Sequence, residues 1–226
     1  MTQGFNRVAV AVLVAGAAWA GTVSAQSAGS WLVRAGATNI TPKVTSGDLT
    51  APSFAGTKAD IESATAVSGG ITYMVSDQFS LDLPLAAGFT HDIVGAGAIA
   101  GVGKIGEVTA LPITLLAQYR FLGAKDAFRP YLGAGPTYAM FYDARSTAAL
   151  TALTGGTPAK VTTLEVQSKW AATIQAGASF AFSPVWSIDA SVLKTFLKTR
   201  TTLSTGQTLD ATLDPLSVSV GVAYKF

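Results

Sequence analysis

The chain has no cysteine, and its 226 residues include a single histidine, His91. No disulfide can staple it, and a metal site of two or three histidines cannot form within one chain. Charge is scarce as well. Asp, Glu, Lys and Arg make up 12% of the residues, against roughly 25% in an ordinary soluble domain. The net charge of +2 is too small for the dense basic patch that nucleic acid demands, so nucleic acid is not expected as a partner. Beyond residue 25 no run of ~18 apolar residues occurs, which excludes a transmembrane helix. Yet 49% of the residues are hydrophobic and the mean hydropathy is +0.41. The remaining structure that can cross a bilayer is a closed β-barrel, whose backbone groups all pair along the ladder.

What is present fits that alternative. The N-terminus "MTQGFNRVAVAVLVAGAAWAGTVSAQ" has a basic stretch ending at Arg7 and an apolar stretch from Val8 to about Ala20. Val23-Ser24-Ala25 then offers small residues where a signal peptidase reads. Residues 1–25 are expected to be a signal peptide, leaving 26–226 as the mature domain.

The mature part alternates with period two. In "FSLDLPLAAGF" the residues Phe79, Leu81, Leu83 and Leu85 share one face, and Ser80, Asp82 and Pro84 the other. "ALPITLLAQYRF", "KWAATIQAGASFAF", "VWSIDASVLKTF" and the closing "PLSVSVGVAYKF" repeat the pattern. In "RPYLGAGPTYAMFY" the parity is ambiguous. The favoured choice sets Leu132, Ala134, Pro136, Tyr138 and Met140 outward, with Gly133, Gly135, Thr137 and Phe141 inward. One face is large and apolar, while the other is small, with a few charges. That inverts a soluble barrel and suits a narrow lumen surrounded by lipid.

Eight such segments are separated by alternating short and long connections. Short turns fall at Ser76-Asp77-Gln78, Leu122–Ala127 and Ser183-Pro184, and long loops at about 42–62, 90–107, 143–168 and 198–212. The expected fold is all-β: an eight-stranded antiparallel transmembrane barrel of up-and-down topology. Both termini lie on the periplasmic side and the four longer loops are extracellular. Trp31, Tyr119, Phe121, Tyr138, Phe182, Trp186 and Phe226 sit where aromatic girdles meet the interfaces.

These stretches carry a family resemblance. "WLVRAGATNITP", "GKIGEVTALPITLLAQYRF", "FRPYLGAGPTYAMFYD", "KWAATIQAGASF" and "SVGVAYKF" together resemble the OmpW family of outer-membrane barrels over nearly all of the mature chain. The resemblance implies passive passage of small hydrophobic molecules, a barrel closed toward the periplasm, a vestibule built by the long loops, and sideways release into the bilayer. It also implies a terminal strand read by the barrel-insertion machinery. The expected surroundings are the lipid bilayer and lipopolysaccharide.

Candidate residues follow. Leu49, Phe54, Met74, Leu116, Phe141 and Trp170 are assigned to the apolar path, because each is a large apolar group in a loop, on the small-residue face or at the rim. Arg34, Asp82, Arg120, Asp189 and Lys225 share the lumen parity. Charges held in so narrow a space are expected to pair as a plug. Pro84 and Pro112 stand in neighbouring strands of a barrel that has no free edge. They mark either a parting of the wall, hence a lateral opening, or a pair of tolerated bulges. "TAALTALTGG" (147–156) is expected to form one or two helical turns.

Catalysis is not expected. His91 adjoins Asp92, but neighbours on a strand point to opposite faces, and a solvated histidine at a strand end is the simpler reading. The Gly-rich stretch 95–104 lacks the strand-loop-helix context of a nucleotide site, so no cofactor is implied. The rival to a transporter is a sealed structural or adhesive barrel whose loops bind host, phage or other surface partners.

Overall fold

A computed structural model describes residues 26–226; the expected signal peptide, 1–25, lies outside the described residues. Eight strands close an antiparallel cylinder: β1 (Trp31–Thr41), β2 (Ala64–Met74), β3 (Phe79–Ala86), β4 (Leu116–Arg120), β5 (Phe128–Ser146), β6 (Lys169–Ala181), β7 (Trp186–Phe196) and β8 (Leu216–Lys225). Each pairs with the next in sequence. β8 lies between β7 (Ala190↔Val220) and β1 (Ala35↔Val222), which closes the wall.

The alternation in the sequence becomes the two faces of this wall. Val33, Leu81, Leu85, Ile113, Ile174, Ile188, Val218 and Val220 are exposed on the outside. Leu32, Thr72, Asp82, Gln118, Thr173 and Asp189 are buried inside. On β5, Leu132, Ala134 and Pro136 are exposed while Tyr131, Thr137 and Ala139 are buried, the favoured parity. Small inner residues make room for large ones. A Cβ on Gly177 would stand 2.5 Å from the Tyr131 ring, and one on Gly70 would stand 2.6 Å from the Arg34 guanidinium.

The short-turn end is tied by polar turn residues and an aromatic belt. Ser76 Oγ accepts the Phe79 N–H at 3.0 Å, and Ser183 Oγ accepts that of Trp186 at 2.9 Å. Trp31 packs on Tyr73, Phe79 on Tyr119, Tyr119 on Phe121, and Trp186 and Phe226 both on Tyr224, with ring centroids 4.7–5.2 Å apart. The terminal Phe226 N–H donates to the Trp31 carbonyl at 2.9 Å, so the chain ends inside the ladder.

At the other end the long connections carry regular structure of their own. Thr57–Ile61, Phe89–Gly97 and Lys104–Thr114 pair in order and continue onto β5. Thr45–Ser46, Thr208–Thr212, Lys198–Leu203 and Leu164–Val166 form a second extension. The expected helical turns are α1 (Ala148–Leu153), capped by the Thr147 side chain. Most of the expected loops 90–107 and 198–212 is therefore strand, and a smaller part of 42–62 and 143–168, because the ladders run on past the barrel.

Among the described residues the wall is interrupted between β3 and the strand Lys104–Thr114; β2 likewise has no ladder partner on its β3 side from Ala64 to Val67. β3 pairs with β4 from Phe79↔Tyr119 to Asp82↔Leu116 and no further. The Arg120 N–H donates to the Gln78 carbonyl at 2.7 Å, so even-numbered residues of β3 form the hydrogen-bonded pairs on this side. Continued, that register sets Pro84 opposite Thr114 and Ala86 opposite Pro112. Both are hydrogen-bonded positions, and each contains a proline with no N–H to give. Leu83–Ala86 keeps its ladder to β2, and Leu111–Thr114 keeps its ladder to β5. Between them no ladder forms.

Candidate functional site

Three cavities stack along the barrel axis above a polar floor. The uppermost lies among the extension strands and α1, with about 990 Å³ of space between its walls, part of it open to solvent. Its lining is almost wholly apolar: Leu49, Phe54, Ile61, Ile93, Ile99, Ile105, Val108, Phe141, Leu150, Leu153, Leu164 and Leu203 among others. Ile93, Ile105, Leu150, Leu164 and Leu203 are buried in one cluster against which Leu49 and Phe141 pack. The strands here alternate too, and their apolar faces turn inward around this space.

A junction cavity follows. It shares Ile61, Val108, Phe141 and Leu213 with the vestibule above. With the lumen cavity below it shares Ile40, Pro112, Thr195 and Ser217. The lumen cavity is lined by Pro84, Leu85 and Ala86 from one lip of the ladder gap and by Pro112 and Thr114 from the other. Its lower end is reached at Arg34, Gln175 and Asp189. A series of spaces thus runs from the apolar vestibule to the break in the wall and stops at charge.

The floor is a hydrogen-bonded network. Arg34 donates to both oxygens of Asp82, at 2.9 and 3.0 Å, and stands 3.5 Å from Asp189. Asp82, 0% exposed, also accepts from Thr72 Oγ1 at 2.5 Å. Asp189 accepts from Tyr131 at 2.9 Å and Ser179 at 2.6 Å. Arg120 makes no carboxylate pair. Its guanidinium is held by Ser80, Gln118, Ser179 and Gln26 and lies 4.6 Å from the centre of the Tyr131 ring. Every carboxylate oxygen of Asp82 and Asp189 thus has a donor, which is what holds ions in so narrow a space.

The expected residues divide accordingly. Leu49, Phe54 and Phe141 come together in the vestibule, and Arg34, Asp82, Arg120 and Asp189 in the floor. Pro84 and Pro112 face each other across the gap in the ladder. Met74 and Leu116 do not join these cavities. Both are 0% exposed; they fill the lumen at the level of the floor and below, where their strands lie beneath the gap. Trp170 also lines none of the three cavities. It is 71% exposed on the outer face, 5.1 Å from the Tyr138 ring, because its parity on β6 is that of the lipid-facing set. Lys225 is half-buried at the short-turn rim, on the inward parity of β8.

Sequence reasoning missed three groups. Arg129 is 0% exposed and donates to the backbone carbonyls of Gln26 and Asp77; its parity with Tyr131 on β5 was the available signal. Gln26 closes the short-turn end between Arg120 and Arg129. His91 is not solvated. It is 4% exposed and lines the junction cavity, because its strand pairs onward with Thr57–Ile61 and covers it.

Comparison with known proteins places this architecture. The OmpW family model matches residues 27–226. The chain is 29% identical over 210 residues to outer membrane protein W of Vibrio cholerae, covering 90% of this chain and 92% of that one. It is 26% identical over 203 residues to the dibenzothiophene metabolism operon protein PahQ of Pseudomonas aeruginosa, covering 87% of this chain and 88% of the relative. Among solved structures it is similar to the outer membrane protein OprG of Pseudomonas aeruginosa, with a TM-score of 0.80 and 26% identity. That match covers 90% of this chain and 99% of OprG.

Proposed function

Because the chain belongs to the OmpW family of outer-membrane barrels, we propose that it admits small hydrophobic molecules passively and releases them sideways into the bilayer. Molecules enter the apolar vestibule, pass the junction beside Val108 and Phe141, and reach the lumen cavity. The floor stops them there, since an apolar molecule cannot displace Arg34 and its carboxylates. The exit is the unpaired stretch of wall at Pro84 and Pro112. No energy coupling and no chemical step are part of this reading. Lipopolysaccharide, the bilayer and the insertion machinery are its partners, with the signal peptide removed after Ala25.

The observation that carries the proposal is the coincidence of two features. The cavities run from the vestibule to the wall, and the wall lacks its ladder where they end. A relative named for dibenzothiophene metabolism, a process whose substrate is a compact apolar aromatic, is consistent with it. Whole-cell uptake of a hydrophobic tracer, with and without the protein, tests the reading. Faster entry with the protein is expected. Equal entry would overturn it and leave the adhesive barrel as the better account.

A further inference from the structure

His91 is buried on Phe89–Gly97 with its ring against the junction cavity. Its Nδ1 lies 2.8 Å from the Glu62 carbonyl oxygen. A carbonyl can only accept, so Nδ1 carries the proton and Nε2 of the neutral ring is left as a bare acceptor. Nε2 has no partner among the described residues, yet it is not sealed off and keeps contact with open space. The space at this residue is the junction between vestibule and lumen.

The other polar groups there are mostly engaged. The Thr137 hydroxyl bonds to those of Thr114 at 2.8 Å and Thr173 at 2.5 Å, and Thr195 bonds to Thr173 at 2.9 Å. Ser217, where the junction meets the lumen, is the remaining open hydroxyl. The rest of the lining is aliphatic or aromatic. A bare acceptor in a mostly apolar space discriminates by chemistry. A hydroxyl entering such a space gives up its bond to water and needs a replacement. His91 supplies one; a hydrocarbon needs none and gains nothing from it.

We propose that His91 is a specificity-determining residue of the passage. It accepts a hydrogen bond from the single hydroxyl or amine of an otherwise apolar molecule, so that arenols and alkanols are admitted alongside the matching hydrocarbons instead of being held back by the loss of their bond to water. This rests on the passage described above. The sequence contains one histidine, so its ring nitrogens can be followed without ambiguity.

Two measurements test it on the full mature protein carrying a histidine-free tag. In cells, the ratio of 1-naphthol to naphthalene uptake is compared between the native protein, His91→Phe and His91→Gln. The ratio falls about tenfold in His91→Phe, the worth of one neutral hydrogen bond, and is partly restored in His91→Gln, which keeps an acceptor. An unchanged ratio in His91→Phe overturns the proposal. In micelles, the Nε2 resonance of ¹⁵N-histidine-labelled protein moves when 1-naphthol is added and stays with naphthalene. Equal responses, or none, overturn it. A selective resonance shift together with uptake that does not depend on the protein would retain the binding site and refute the passage, so the two failures are told apart.

Discussion

Cells carrying Val108→Arg are expected to take up a hydrophobic tracer no faster than cells lacking the protein. Val108 is 3% exposed and lines both the vestibule and the junction, so whatever moves from one to the other passes it. An arginine there fills the constriction and sets an unpaired cation among Ile61, Phe141 and Leu213. A charge in such surroundings is strongly disfavoured unless it keeps water with it, and that water excludes an apolar solute. Val108→Leu, apolar and one methylene larger, should retain uptake. The barrel itself should assemble in both variants, because Val108 belongs to the extension and not to the eight strands of the wall. Band shift on gels with and without boiling checks assembly. Uptake by Val108→Arg at the native rate would show that traffic does not use the junction.

The floor answers to stability instead of uptake. Asp82→Ala is expected to lower the unfolding free energy of the barrel by roughly 3–5 kcal/mol, the usual cost of removing one partner from a buried pair. Arg34 would keep only the longer contact to Asp189 at 3.5 Å, and the Thr72 hydroxyl would lose its acceptor. The cost is that of an uncompensated buried cation, so removing the cation as well should recover most of it. Arg34→Leu with Asp82→Leu, which replaces the pair by apolar groups, should lie much closer to the native protein than Asp82→Ala does. Guanidinium unfolding in micelles, followed by tryptophan fluorescence, compares the three. A double variant as unstable as Asp82→Ala would mean that the network and not the pair sets the stability.

Much of the wall was readable because a strand has period two and a membrane barrel turns its apolar face outward. Leu81, Leu83 and Leu85 against Ser80, Asp82 and Pro84 suffice to orient β3. Once parity is known, Arg34, Asp82, Arg120 and Asp189 must share the lumen, and a narrow lumen brings them together. The prolines were legible for the same reason, since a closed ladder has no place for them. The vestibule was legible only in part. Leu49 and Phe54 stand out as apolar residues in expected loops, but Ile93, Ile105, Leu164 and Leu203 line the same space from strands that pair beyond the barrel. Those pairings are set by long-range register, which no local pattern records. Met74 and Leu116 illustrate the limit. Parity placed them in the lumen correctly, but height along the axis depends on strand tilt and stagger, and both lie below the passage. Trp170 was read for its size, although its parity set it outward.

The central claim is that hydrophobic molecules leave through the wall at Pro84 and Pro112, and supplying the missing amides tests it most directly. Pro84→Val with Pro112→Val restores one N–H to each lip, at the positions that register assigns to hydrogen-bonded pairs. The vestibule and the floor are untouched, and valine at 112 keeps an apolar side chain of similar size in the junction. Tracer uptake is measured in cells expressing equal amounts of assembled native and double-variant barrel. The double variant is expected to fall toward the rate of cells without the protein. Uptake at the native rate, with the ladder between β3 and Lys104–Thr114 shown to be closed by amide exchange protection, would contradict it.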